Sequence, residues 1–106
     1  MAEFKTEVSE SGEALKVVIA LQKFDAQQAA VFKEAVDQVW TDAIKSVAID
    51  FAEVKFIDSS GIGALLSIQK KLGPGSDPLV IQNASKNVIE VIELLRLHRV
   101  FRLDQP

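Results

Sequence analysis

Two short β-favouring runs, residues 4–8 and 14–21, flank the polar cluster Ser9-Glu10-Ser11-Gly12-Glu13, a pattern that predicts an opening antiparallel hairpin. Asp25 then precedes Ala26-Gln27-Gln28, the D-x-x-Q form of a capping box. Phe32, Ala35, Val36, Val39 and Trp40 follow at helical spacing, predicting an amphipathic helix over about 26–40 with Trp40 closing its core stripe. Val47, Ile49 and Phe51 alternate with Ala48 and Asp50. Because Ala48 is small and apolar, this run is the candidate central strand of a sheet. Val54 and Phe56 resume the alternation and aim the chain at Asp58. Beyond it Gly61, Ile62, Leu65, Leu66, Ile68 and Leu72 give a second helix that is apolar over a wide arc and is expected to lie largely buried.

Gly73-Pro74-Gly75-Ser76-Asp77-Pro78 is the strongest breaker cluster and ends that helix. Leu79-Val80-Ile81 reads as a short strand. Ser85 is placed to cap a third helix carrying Val88, Ile89, Ile92 and Leu95, and Val100 to Leu103 reads as a last strand. The predicted order is β, β, α, β, α, β, α, β. Strands alternating with helices after a hairpin imply an α/β fold with a mostly parallel sheet and right-handed crossovers.

At 106 residues, 48% hydrophobic and 25% charged, the chain reads as one globular domain without repeats or low-complexity tracts. A net charge of −3 argues against a surface that tracks nucleic-acid phosphates, so a protein partner is expected and DNA or RNA is not. The charge is uneven: residues 1–60 carry 11 acidic and 6 basic side chains, residues 61–106 carry 4 and 6. Arg96, Arg99 and Arg102 near the C-terminus are read as a solvated helix and edge strand. Without cysteine there is no disulfide, thiolate metal site or cysteine nucleophile. The start lacks a long apolar stretch and no segment approaches the ~18 apolar residues of a membrane span, so a cytoplasmic chain is expected, and the sequon Asn83-Ala84-Ser85 carries no meaning there.

The chemistry concentrates at Asp58-Ser59-Ser60-Gly61-Ile62-Gly63, where a strand hands a carboxylate and two hydroxyls to a helix start. In a parallel sheet, partners are met at the carboxyl ends of strands. Free backbone NH groups and the helix dipole favour an anion there, so a phosphate on Ser59 is expected to suit the local backbone. Gly61 and Gly63 cost around 1 kcal/mol each against alanine in a helix, a cost that close approach of another protein would explain. Asp and Ser are also the commonest N-caps, so the tetrapeptide alone reads more readily as a plain cap than as a switch.

Enzymatic readings find little support. G-x-S-x-G is absent, and the single histidine, His98, falls at an expected helix end. Ser67-Ile68-Gln69-Lys70 matches S-x-x-K without the companion elements of that hydrolase class. The Gly-Pro-Gly loop lacks the G-K-[ST] ending of a phosphate-binding loop, and no cofactor is implied. Asp50 and Asp58 lack a third ligand and are read as having separate structural roles. Leu21-Gln22-Lys23 offers no acidic pair, which argues against a phosphoaspartate receiver.

The segment Val47 to Leu66 resembles the STAS domains, the family named for sulfate transporters and anti-sigma factor antagonists. An apolar strand ends near Asp, and an apolar residue then precedes Asp-Ser-Ser-Gly-apolar-Gly. The element order agrees from about residue 4 to 103. The resemblance implies a STAS-like fold with three or four helices, and a stand-alone bacterial anti-sigma factor antagonist acting in transcription regulation. It implies that Ser59 is the phosphorylation site beside Asp58, that an anti-sigma factor serine kinase modifies it, and that a PP2C-type phosphatase reverses the change. The unphosphorylated form would bind the kinase and free a sigma factor. The expected partner surface comprises Asp25, Asp58, Ser59, Ser60, Gly61, Ile62 and Gly63, on a monomer or weak homodimer. A STAS domain serving as an unmodified scaffold subunit of a transporter or stress-signalling assembly is the alternative. Members often carry Gly-Glu-Leu-Asp where this chain has Gln22-Lys23-Phe24-Asp25. They often carry glycine at the position of Arg96, so the third helix is expected to end without a left-handed cap.

Overall fold

The computed structural model describes residues 3–104. The opening hairpin pairs β1 (Phe4–Val8) with β2 (Ala14–Ile19) antiparallel, and Ser9 and Ser11 bond the turn between them. β4 (Ser46–Asp50), β6 (Val80–Gln82) and β7 (Arg102–Asp104) then add in parallel, giving a five-stranded sheet in the order β1-β2-β4-β6-β7. The strand read as central is the middle strand. The expected order holds, with one addition. β3 (Lys23–Phe24) and β5 (Phe56–Ile57) pair in parallel as a separate two-stranded sheet, each just before a helix.

α1 (Ala26–Val39), α2 (Ser59–Leu72) and α3 (Lys86–Leu94) complete the fold. Each begins at a side-chain cap predicted from the sequence: Asp25 accepts from Gln28 N, Asp58 from Ser60 N and Gly61 N, Ser85 from Val88 N. α2 ends at Gly73, whose φ of 68° is open to glycine at little cost. Gln69 Oε1 ties α2 to the next strand by accepting from Leu79 N at 2.7 Å.

One face of the large sheet forms the core. Leu15, Val17, Ile19, Val47, Ile49 and Ile81 meet the buried residues of all three helices in a single apolar cluster. Phe24 lies at its centre, edge-on to Phe4, Phe32 and Phe51 with ring centroids 6.3, 5.1 and 6.2 Å away. Among the described residues no polar or charged side chain is buried, so any chemistry must sit at the surface. Trp40 is half-buried against the core just past the end of α1, with the Lys71 ammonium 5.4 Å from its ring centroid.

Three local expectations are corrected. Val54 and Ile57, not Val54 and Phe56, face inward, because the turn between Phe51 and Val54 shifts the register and leaves Phe56 52% exposed. α2 is less enclosed than its composition suggested, since Leu66 points outward. α3 does end in a left-handed residue: Arg96 takes φ 62° and ψ 24° with no glycine, and its NH donates to the Glu93 carbonyl. The geometry of the chain reversal into the 3-10 turn Leu97–Arg99 imposes it, at the expense of backbone strain.

Candidate functional site

The small β3-β5 sheet assembles the site. Phe24 pairs with Ile57, so the next residues, Asp25 and Asp58, stand beside each other as caps of two helices. Asp58 N approaches the Phe24 carbonyl at 3.5 Å, and Lys55 N and Phe56 N both donate to the Gln22 carbonyl. The sequence bore the sign of this in an apolar residue followed by Asp before each helix, but a two-residue strand is too short to show periodicity.

Asp58 does the capping. One carboxylate oxygen, Oδ1, accepts from Ser60 N at 2.9 Å and from Gly61 N at 3.0 Å, and the Asp58 carbonyl accepts from Ile62 N. Ser59, the first residue of α2, is therefore released from that task. It and Ser60 are exposed, and neither hydroxyl makes a hydrogen bond among the described residues. The Asp58 carboxylate thus holds two amides of the helix start, those of Ser60 and Gly61.

The two glycines separate. A Cβ on Gly61 would overlap the Phe24 carbonyl oxygen and lie 2.8 Å from Ile57 Cγ1, so its bare backbone serves internal packing of α2 against β3 and β5. A Cβ on Gly63 would meet nothing within 4 Å, and this glycine is exposed. Gly61 and Ile62 are buried, so the outward surface consists of Ser59, Ser60 and Gly63 with the half-buried Asp25 and Asp58. Lys23 and Phe56, register partners in the small sheet, extend it, Phe56 as an exposed aromatic that the sequence did not single out.

The remaining candidates lie elsewhere. Asp50 accepts from Ala52 N at 2.9 Å and from Asn83 Nδ2 at 3.2 Å, a clamp at the end of β4 separate from the Asp58 cap. Ser67 donates to the Ala64 carbonyl of its own helix, and His98 lies in the 3-10 turn. No three His, Cys, Asp or Glu side chains among the described residues gather to hold a metal, and no described helix is long and apolar enough to cross a membrane.

Fold and site together define a small mixed-sheet domain that presents a serine at a capped helix start. The chain belongs to the STAS domain family, whose pattern matches residues 5–105. Its fold is similar to that of the anti-sigma factor antagonist SpoIIAA in its unphosphorylated form, with a TM-score of 0.80 and 18% identity over 97% of this chain and 87% of the other. It is also similar to an anti-sigma-factor antagonist (STAS) domain protein from Planctomyces limnophilus, with a TM-score of 0.80 and 18% identity over 99% and 91%. The Bacillus cell fate determinant SpoIIAA in its phosphorylated form superposes with a TM-score of 0.73 and 17% identity over 97% and 90%.

Proposed function

We propose that this chain is an anti-sigma factor antagonist, a binding protein rather than an enzyme, whose partner affinity is set by phosphorylation of Ser59. The observation that carries this reading is the exposed, unbonded Ser59 hydroxyl on a helix start that Asp58 already caps. Modification there leaves the cap and the core intact and changes the surface alone. Transfer of the γ-phosphoryl of ATP to Ser59 Oγ, with loss of the hydroxyl proton, adds roughly −1.5 to −2 charges beside Asp58 and Asp25. A partner that accepts two carboxylates and a neutral serine is repelled by the phosphorylated surface.

In this reading the unphosphorylated chain binds an anti-sigma factor with serine kinase activity and so frees a sigma factor, the kinase ends binding by phosphorylating Ser59, and a PP2C-type phosphatase restores it. The fold's similarity to SpoIIAA, known in both phosphorylated and unphosphorylated forms, supports it. The acidic net charge fits a protein partner in a bacterial cytoplasm better than a nucleic acid. The test is incubation with the serine kinases of the host and ATP, comparing wild type, Ser59→Ala and Ser60→Ala by intact mass. One phosphate is expected on wild type and Ser60→Ala. Its retention in Ser59→Ala would overturn the site, and an unmodified wild type that still holds its partner would favour the scaffold reading.

A further inference from the structure

The sheet has a second face, which no described helix covers. Strand alternation places two cross-strand rows there. In one, Glu7, Lys16, Ala48, Val80 and Arg102 follow each other across the five strands. In the other stand Lys5, Val18, Asp50, Gln82 and Asp104. Val80 is buried yet stands outside the core cluster, and an open trough of about 380 Å³ runs over Ala48 and Val80 between Lys16 and Arg102.

The charges form a checkerboard. Edge strand β1 presents Lys5 and Glu7 and edge strand β7 presents Asp104 and Arg102, so like signs sit at diagonal corners. None of these four is ion-paired among the described residues, where the one salt bridge joins Lys71 to Asp37. A two-fold axis lying in the plane of the face and perpendicular to the strands exchanges the two rows. It sets Glu7 over Lys5 of a second copy and Arg102 over Asp104, and it lowers Asp50 onto the small Ala48 floor beside Lys16. The face is thus complementary to itself.

We propose that this sheet face is a homodimer interface, in which two copies stack face to face with antiparallel strands. Five strands at ~4.8 Å spacing and two side-chain rows at ~6.7 Å spacing span roughly 320 Å² per copy. The total of about 650 Å² falls below the standard size of a stable interface, so the dimer is weak and reversible. Its contacts are charged and solvent-rimmed, so salt weakens it.

Sedimentation velocity on the full chain from about 10 μM to about 1 mM, the range in which such weak affinities register, tests the proposal. A monomer–dimer equilibrium is expected that salt shifts toward monomer. Arg102→Asp is expected to weaken it about tenfold or more by opposing like charges, and Ala48→Glu to abolish it by filling the floor, circular dichroism confirming that both fold. Combining Arg102→Asp with Asp104→Arg exchanges the corner charges and is expected to restore association to within about threefold of wild type, since opposite signs again face each other. A monomer at all concentrations, a dimer indifferent to Arg102→Asp and Ala48→Glu, or no recovery in the exchanged pair would each overturn the proposal.

Discussion

Gly61 rests against the backbone carbonyl of Phe24, closer than any side chain would allow, with Ile57 Cγ1 closing the other side. Phe24 cannot retreat, because its ring is locked edge-on among three other phenylalanines. Gly61→Ala is therefore expected to destabilise the domain by about 1–3 kcal/mol, as overpacking does. Chemical denaturation measures it, and a variant as stable as wild type would show that the contact is not tight.

Gly63 faces open space in the same helix turn, so the opposite sign is expected. Gly63→Ala removes backbone freedom from the unfolded chain and should stabilise by roughly 0.5–1 kcal/mol. If the partner approaches this bare backbone, the same variant binds it more weakly. Gained stability with undiminished partner affinity would remove Gly63 from the interface.

Asp58 has two separable attributes, an acceptor oxygen for the Ser60 and Gly61 amides and a negative charge. Asp58→Ala loses both and should cost about 1 kcal/mol, while Asp58→Asn keeps the acceptor and should cost a few tenths. Thermal melts of the two variants side by side settle this; equal losses would mean that charge, not capping geometry, holds the helix start.

Arg96 occupies left-handed backbone without being glycine. Arg96→Gly should relieve that strain, offset in part by glycine's freedom in the unfolded state, for a net gain of about 0.5–1 kcal/mol. A fall in denaturation midpoint would show that the arginine side chain contributes contacts outweighing the strain.

Ser59→Asp places a carboxylate in the first turn of α2, where the helix dipole tolerates it, and beside Asp58, where it adds to the local negative charge. The fold should be unchanged by circular dichroism while capture of the proposed anti-sigma factor partner drops. Capture equal to wild type would sink charge-driven release.

Where periodicity spans several turns or strand residues, it was legible: α1, α2, the hairpin and the central place of Val47 to Asp50 follow from apolar spacing, and three helix starts from Asp25, Asp58 and Ser85. Lys23–Phe24 and Phe56–Ile57 were not legible as strands, because two residues carry no period and their pairing depends on contacts 33 positions apart. Their absence from the reading is also why Gly61 looked like a partner's opening rather than a seat for Phe24. Arg96 shows the converse limit, since composition argued against a left-handed residue that the chain reversal required.

The pairing of Phe24 with Ile57 means that the surface around Ser59 is assembled from segments distant in the chain. The large sheet is similarly non-local, with Leu15 beside Val47 and Ile49 beside Ile81. Such closures come late and slowly in folding compared with local hairpins and helices. A short peptide spanning Lys55 to Leu65 would carry every letter of the serine motif but lack the neighbouring cap and the Phe24 wall. An enzyme that reads shape around Ser59 would meet that shape only on the completed fold, so unfinished chains would not be modified prematurely.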